Sequence, residues 1–245
     1  MKPALDELAA RVIDLTTAAP TSSRRIMIGL IGCPGGGKTT LANLLVDHLN
    51  AQLKASPGDR LKAGLEAPPG AGLEAPPGAG PASGRPDPVA YVPMDGFHLA
   101  DVELERIGRR DRKGAPDTFD AYGYVALLRR LRENTDPIVY VPGFDRALEQ
   151  PIAGSLPVFQ QTRVIITEGN YLLLDGHWSG VRPLLDETWF CRPDEDVRMQ
   201  RLLARHIRFG KTPEFARTWI EQTDQPNAET ISATQSRADL LVDVD

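Results

Sequence analysis

RIMIGLIGCPGGGKTTLANLL, residues 25–45, contains the three consecutive features that decide the fold. Its continuous apolar run at 25–32 predicts a buried parallel strand. Leucines at helical spacing over 40–49 predict a helix. Between them, GCPGGGKT at 32–39 satisfies G-x-x-x-x-G-K-[ST], in the strand–loop–helix context that this phosphate-binding loop requires.

The loop predicts a nucleotide site that uses Mg²⁺. Glycines let the backbone wrap a phosphate, and the helix behind the loop adds its positive end. Lys38 is expected to reach the β- and γ-phosphates, and Thr39 to offer its hydroxyl to Mg²⁺. A mere glycine-rich turn would not explain the lysine and the threonine. The predicted nucleotide-binding residues of this segment are Gly32, Gly35, Gly36, Gly37, Lys38, Thr39 and Thr40.

Composition excludes several other classes of protein. The chain has 245 residues and a net charge of −5, so it lacks the basic footprint of a general nucleic-acid binder. Two cysteines and four scattered histidines make neither a disulfide framework nor a zinc site. No apolar run approaches the roughly 18 residues that span a bilayer, and the N-terminus resembles no signal peptide. We therefore expect a cytoplasmic protein without membrane insertion.

Strands alternate with helices along the chain. Strands are predicted at 89–93, 137–142 (near a sheet edge), 163–169, 187–191 and 238–244, and helices at 3–18, 120–134, 194–210 and 213–223. This alternation predicts an α/β fold with a mostly parallel sheet flanked by helices. We expect a single domain over 1–245, interrupted at about 54–88.

The interruption at 54–88 differs from the rest of the chain. The octapeptide AGLEAPPG occurs in tandem at 63–70 and 71–78, and about half of residues 57–88 are proline or glycine. This composition predicts a flexible insert without a packed core. A proline-rich ligand for a partner is the alternative.

Two carboxylates end predicted strands and point to phosphoryl transfer. Switch-type GTPases need an [NT]KxD motif, which the sequence lacks, so a small-molecule kinase is the simplest use of the loop. Asp95 could accept a proton from an attacking hydroxyl or hold Mg²⁺, or else shape the Asp-Gly turn. Glu168 could position Mg²⁺, or else cap a helix or loop.

The predicted helix at 194–210 carries four arginines on one face: Arg198, Arg201, Arg205 and Arg208. Such a run is usually a solvated face. In a kinase it could instead be a lid that closes arginines over the transferring phosphoryl group. Arg201 and Arg205 are the preferred catalytic pair.

Several motifs in order resemble the phosphoribulokinase/uridine kinase family of P-loop kinases. They are GCPGGGKTT, MDGFH, RKGAPDTFD, YVPGFDR, ITEGNYLL and NAETISATQSRADL, and the resemblance covers 24–245 except the insert. MDGFH and KGAPDTFD look most like the pantothenate kinase branch. YVPGFDR and ITEGNYLL resemble the uridine kinase-like branch that is also labelled as fructose transport system kinases.

The resemblance implies a P-loop NTPase fold with a helical lid, and roles for individual residues. Asp95 matches the catalytic aspartate, Glu168 the second acid near Mg²⁺, and Arg205 the lid arginine. Asn227 falls in the segment near the nucleotide base. The implied acceptor-pocket residues are Tyr140, Phe144, Asp145 and Arg146, with His98, Lys113 and Asp117 as weaker candidates. Tyr140 and Phe144 could instead be core, and Asp145 with Arg146 a surface ion pair.

The sequence therefore predicts an ATP-dependent kinase that phosphorylates an alcohol group of a sugar, nucleoside or pantothenate-like acceptor. The alternative is a nucleotide-binding regulatory module without phosphotransfer, associated with a transport system. A small-molecule substrate is the expected partner, nucleic acid is not, and a homodimer stays open.

Overall fold

A computed structural model describes residues 5–19, 24–55 and 86–244. Its seven strands are β1 (Ile26–Ile31), β2 (Val89–Pro93), β3 (Ile138–Asp145), β4 (Gln150–Phe159), β5 (Val164–Gly169), β6 (Glu187–Pro193) and β7 (Leu240–Val244). Five of them form one sheet in the order β2-β5-β1-β6-β7, and all neighbouring pairs are parallel. The predicted α/β fold with a mostly parallel sheet is confirmed.

Within the described ranges, seven α-helices accompany the strands: α1 (Leu5–Ala18), α2 (Lys38–Ala55), α3 (Asp101–Arg106), α4 (Ala121–Glu133), α5 (Glu195–Arg208), α6 (Pro213–Trp219) and α7 (Gln225–Ser232). Asp120 caps α4 by accepting from the Gly123 amide, as its sequence position predicted. The helix predicted over 213–223 ends earlier, at Trp219. A π-helical turn, Ile220–Asp224, then leads into α7. The short helices α3 and α7 were not predicted.

Apolar layers cover both faces of the sheet. Every residue of β1 and β5 is buried, which explains the continuous apolar run of β1 and the apolar first half of β5. One layer packs Leu8 of α1 and Leu45 of α2 against the sheet. The other packs Tyr124 and Leu128 of α4 against it. The helices thus cover both faces of the sheet, and the ends of the strands remain available for a site.

The strand predicted near an edge at 137–142 lies outside the main sheet. It extends to Asp145 as β3 and pairs antiparallel with β4 in a separate ribbon. The sequence did not indicate β4, because Pro151 and Pro157 lie within it and proline weakens a strand prediction. The ribbon carries the GFDR motif, residues 143–146, at the end of β3 and in the turn that follows it.

Most of the predicted insert, residues 56–85, lies outside the described ranges. The described segments on either side of it contact each other. Lys54 of α2 and Asp87 form an ion pair. The Asn50 side chain accepts from the Val89 amide over 3.0 Å and donates to its carbonyl over 3.1 Å. The end of α2 is therefore held beside the start of β2.

Across the described ranges, no helix has the length and apolar character needed to cross a membrane.

Candidate active site

The loop between β1 and α2 has a backbone that requires its glycines. Gly35 and Gly37 adopt left-handed conformations, with φ of +77° and +78°. A Cβ at Gly36 would lie 2.8 Å from the Cys33 carbonyl oxygen, which accepts the Gly36 amide over 2.9 Å. The loop therefore has the tight turn that the phosphate-binding motif predicts.

Lys38 begins α2 and folds back over this loop. Its ammonium group donates to the carbonyls of Gly32 and Cys33 over 2.8 and 3.0 Å, and the residue is 7% exposed. Burial lowers the pKa of Lys38, against the charge of Glu168, which favours the ammonium. The cation thus lies where a phosphate held by the loop would meet it. Thr39 and Thr40 follow as exposed residues in the first turn of α2.

Glu168 lies near the carboxyl end of β5, level with Leu30 of β1 and Pro93 of β2. Its Oε1 accepts from the Tyr91 hydroxyl over 2.7 Å and from the Thr39 hydroxyl over 3.3 Å. Burial and then the charge of Asp95 raise the pKa of Glu168. The carboxylate is bonded to a strand and to the loop helix, so the alternative of a helix or loop cap is wrong.

Tyr91 is a site residue that the sequence analysis missed. It lies on β2, opposite Ile166 of the neighbouring β5, and its hydroxyl reaches Glu168. Burial raises the pKa of Tyr91, so the hydroxyl keeps its proton and donates it. A polar-tipped residue within VAYVP, an otherwise apolar strand next to the motif strands, is the signal that could have found it.

Asp95 lies in a 3₁₀ turn, Met94–Phe97, directly after β2. Backbone bonds close this turn, with the His98 amide donating to the Asp95 carbonyl over 3.2 Å. The carboxylate instead pairs with the guanidinium of Arg146, which donates to Oδ2. The side chain of Asp95 is thus not needed to close the turn, contrary to the turn-shaping alternative.

The charges around Asp95 favour its ionised form. Burial raises the pKa of Asp95, but Arg146, His98, Lys38 and Arg205 lower it further than burial raises it. The resulting pKa lies below the ordinary value for an aspartate. Asp95 is therefore a carboxylate among cations, close enough to Lys38 and Glu168 to influence both.

Gly96 holds the Asp95 turn against the β3–β4 ribbon. A Cβ at Gly96 would lie 2.1 Å from the Pro142 carbonyl oxygen, so only glycine allows this approach. The contact explains why Arg146, just after β3, reaches a carboxylate that follows β2.

An aromatic wall stands beside the ion pair. The Phe144 ring lies 4.7 Å from the Arg146 guanidinium and 4.7 Å from the His98 ring. His98 also stacks on Phe119 at 4.0 Å, and its Nδ1 lies 2.7 Å from the Asp95 carbonyl oxygen. Burial lowers the pKa of His98, which favours the neutral ring. Three of the residues implied for the acceptor pocket, namely Phe144, Arg146 and His98, thus lie together.

The four arginines of α5 have different surroundings. Arg198 is 2% exposed and donates to Glu195, Gln225 and the Pro34 carbonyl, so it ties the helix to the loop. Arg208 is exposed and lies over the Phe209 ring at 5.8 Å. The four arginines therefore do not form a single solvated face of α5.

Arg201 and Arg205 turn toward the site. Nη1 of Arg201 is buried without a hydrogen-bond partner, and a Cβ at Gly37 would lie 3.5 Å from it. An unpaired donor therefore lies beside the phosphate-binding loop. Burial lowers the pKa of Arg205, and the like charge of Arg146 lowers it further.

Three predicted site residues have other surroundings. Tyr140 lies on β3 opposite Pro157 and is 58% exposed, so it is not core. Oδ1 of Asp145 accepts from the amides of Ala147 and Leu148 over 2.8 and 2.9 Å, which caps the turn of the ribbon. Arg146 pairs with Asp95, so the alternative of a surface ion pair between Asp145 and Arg146 is wrong.

Asn227 lies on α7, and its side-chain amide donates to the Gly114 carbonyl over 3.5 Å. The same helix contacts the phosphate-binding loop, because the Cys33 thiol lies 3.3 Å from the Ser232 hydroxyl. The proximity of Asn227 to the nucleotide base stays a prediction. The weaker candidates Lys113 and Asp117 form ion pairs, Lys113 with Asp101 and Asp117 with Arg112, and their role at an acceptor stays a prediction.

The oxygen donors of the site fit Mg²⁺. Thr39 and Glu168 are adjacent, and both offer the hard oxygen ligands that this ion prefers. Within the described residues, no group of three or more His, Cys, Asp or Glu side chains could hold a metal ion. Mg²⁺ at a phosphoryl-transfer site needs only one or two protein oxygens, because nucleotide phosphates and water supply the others.

Similar proteins are found in fungi and bacteria. An ATP-dependent kinase-like protein of Aspergillus versicolor is 37% identical over 148 residues, which cover 56% of this chain and 86% of that protein. A Schizosaccharomyces pombe protein, provisionally assigned as a uridine kinase, is 31% identical over 227 residues, which cover 90% of this chain and 80% of that protein. No family model matches the chain.

A solved structure has the same fold. A Silicibacter sp. TM1040 protein, provisionally assigned as a fructose transport system kinase, superposes with a TM-score of 0.75. The two chains are 31% identical, and the superposition covers 98% of each. Because relatives of this identity align over most of their own length and one of them superposes over nearly the whole chain, the chain belongs to the phosphoribulokinase/uridine kinase family of P-loop kinases.

Proposed function

We propose that this protein transfers the γ-phosphoryl group of ATP to an alcohol group of a small molecule, which is a sugar, a nucleoside or a pantothenate-like compound. One observation carries the proposal. The carboxylates of Asp95 and Glu168 and the ammonium of Lys38 meet where β1, β2 and β5 end, at the edge where open α/β sheets bind ligands.

The nucleotide half of the proposed site is the loop and its surroundings. The amides of the loop bind the phosphates, and Lys38 neutralises the β- and γ-phosphates. Thr39 and Glu168, with Asp95 nearby, would hold Mg²⁺. When bound, this ion neutralises charge on the phosphate oxygens. Thr40 and Asn227 are proposed to complete the nucleotide contacts.

The proposed base is Asp95. Its carboxylate takes the proton of the acceptor hydroxyl as that oxygen forms a bond to the γ-phosphorus, and the bond from phosphorus to the bridging oxygen of ADP breaks. Arg201, with its unpaired buried donor beside Gly37, and Arg205 stabilise the charge on the transferring group. Most of the rate then comes from positioning and electrostatics.

The acceptor half is proposed to lie between the Asp95 turn and the ribbon. His98, Phe144 and Arg146 contact one another or Asp95 and form its wall. Tyr140 and Asp145 stay predictions as acceptor contacts.

We also propose that residues 1–245 form a single domain that works in the cytoplasm, where its two buried thiols would stay reduced.

A screen of ATP consumption over sugars, nucleosides and pantothenate tests the proposal, with Lys38→Ala as the informative variant. We expect that variant to lose phosphotransfer and to bind ATP more weakly, because it removes the buried cation of the loop. Lys54→Ala, at the other end of the same helix, is the matched control and should behave as the parent. Unchanged ATP affinity and turnover in Lys38→Ala would contradict the nucleotide site.

A further inference from the structure

The guanidinium of Arg146 lies on the carboxylate that the proposed reaction needs. It donates to Oδ2 of Asp95, and among the described residues it makes no other hydrogen bond. Arginine has five N–H donors, so most of the fork remains available for another acceptor. Asp95, which would receive the proton, is thus paired with Arg146, whose remaining N–H donors are free to bind an anion.

Two neighbours fix the direction in which Arg146 can act. The Phe144 ring stacks at 4.7 Å from its guanidinium and holds the plane of the fork. Burial and then the like charge of Arg146 lower the pKa of Arg205. Burial also lowers the pKa of Arg146, but the charges of three carboxylates raise it further: Asp95, Glu149 and Glu168. An anion bound to Arg146 would weaken the repulsion that Arg205 experiences.

Lys113 strengthens the positive character of the same wall. Its ammonium lies 5.6 Å from the centre of the Phe144 ring and bonds to Asp101 over 2.6 Å. It also donates to the Glu149 carbonyl. The aromatic ring thus has a cation at two positions. Lys113 is paired with Asp101, so Arg146, which has spare N–H donors, is the cation placed to take a negatively charged ligand.

Resting on the proposed function, we infer that the phosphoryl acceptor is an anionic alcohol, and that Arg146 leaves Asp95 to bind its carboxylate or phosphate group. The exchange frees Oδ2 of Asp95 to take the hydroxyl proton, while the acceptor oxygen bonds to the γ-phosphorus and ADP departs. A neutral alcohol offers Arg146 only hydroxyl acceptors, which compete with the Asp95 carboxylate less well than an anion does, and so leaves Asp95 paired. Arg146 is thereby a specificity-determining residue that couples acceptor recognition to the availability of the base.

Matched acceptor pairs test this inference. The pairs are ribose and ribose 5-phosphate, glycerol and glycerate, and pantothenyl alcohol and pantothenate, each given with Mg-ATP while phosphoester is followed by ³¹P NMR. We expect the accepted compound to be an anionic member, favoured over its neutral partner by about 100-fold or more in kcat/KM. In Arg146→Gln that preference should collapse. Arg130→Gln, an exposed arginine at the far end of α4, is the control and should keep it. Equal use of neutral and anionic members by the parent would overturn the inference and leave the proposed function intact.

A second measurement needs no acceptor. Without any alcohol, Arg146→Gln should hydrolyse ATP several-fold faster than the parent, because water can then reach a free Asp95. The double variant Arg146→Gln/Asp95→Asn should lose that gain. An unchanged or slower hydrolysis by Arg146→Gln, in a variant with the parent's melting temperature, would overturn the exchange. Absence of phosphoester from every alcohol would instead count against the proposed function.

Discussion

The Tyr91 hydroxyl donates to Oε1 of Glu168 over 2.7 Å, the same oxygen that accepts from Thr39 over 3.3 Å. Two donors from different elements thus fix one carboxylate oxygen beside the phosphate-binding loop. We expect the second oxygen, Oε2, to face Mg²⁺. Tyr91 then acts as a positioning residue, because it touches the ligand of the ion and not the ion itself.

Tyr91→Phe should weaken the response to Mg²⁺ more than it weakens the response to ATP. Loss of one partner of a metal-binding carboxylate typically lowers metal affinity by about 10- to 100-fold. The measurement is the rate of phosphotransfer against Mg²⁺ concentration at fixed ATP, with recovery expected at high Mg²⁺. Tyr122→Phe, an exposed tyrosine, is the control. A Tyr91→Phe variant with the parent's Mg²⁺ dependence would show that the bond has no role in holding the ion.

Arg201→Ala should impair activity without loss of stability. Its Nη1 is buried without a partner, so removal of the side chain breaks no bond of that atom in the protein. Loss of one donor to a transition-state charge lowers kcat by about 10²- to 10³-fold. Steady-state kinetics and thermal unfolding of the same preparation separate the two effects. A large fall in melting temperature with kcat preserved would contradict the proposed role.

Arg198→Ala should show the opposite behaviour. This buried guanidinium donates to Glu195, Gln225 and the Pro34 carbonyl, and its loss leaves the last two without that donor. We expect a loss of about 2–3 kcal/mol in the free energy of unfolding, measured by urea denaturation. Stability equal to that of Arg201→Ala would show that the two arginines are not distinguished as described.

Deletion of residues 57–85 with a short splice should leave the melting temperature within a few degrees. The Lys54–Asp87 ion pair and the Asn50–Val89 bonds already hold the two ends together. Shortening a loop changes its closure entropy slowly, by about 0.6 kcal/mol for each halving of its length. Collapse of the fold would show that the segment is structural. Loss of a partner with activity intact would favour the alternative of a proline-rich ligand.

The sheet and the loop could be predicted from sequence because local pattern and burial agree there. Buried parallel strands read as continuous apolar runs, and the loop needs its glycines, lysine and threonine at fixed spacing. The ribbon could not be predicted as such. Prolines in β4 obscure the strand, and pairing between β3 and β4 is not a local property of either.

The candidate site shows the same limit at the level of side chains. Asp145 and Arg146 are adjacent in sequence, which suggested an ion pair between them. In the structure Asp145 caps the ribbon turn while Arg146 reaches Asp95, because successive residues at a strand end point in different directions. The contact from Tyr91 to Glu168 likewise depends on the pairing of β2 with β5. Val164, the first residue of β5, follows Tyr91 by 73 residues in the chain, so the contact is visible only once the two strands are paired.

Steady-state kinetics of Asp95→Asn test the central claim most directly. The amide keeps the size of the side chain but cannot take a proton from the acceptor hydroxyl. With an accepted alcohol and several Mg²⁺ concentrations, we predict a kcat about 10²- to 10⁴-fold below that of the parent, with Mg-ATP affinity nearly unchanged. Rescue by added Mg²⁺ would instead assign Asp95 to the ion. Retention of more than about a tenth of the parent's kcat, less than the expected effect of a general base, would contradict the account of Asp95 as the base of an ATP-dependent kinase.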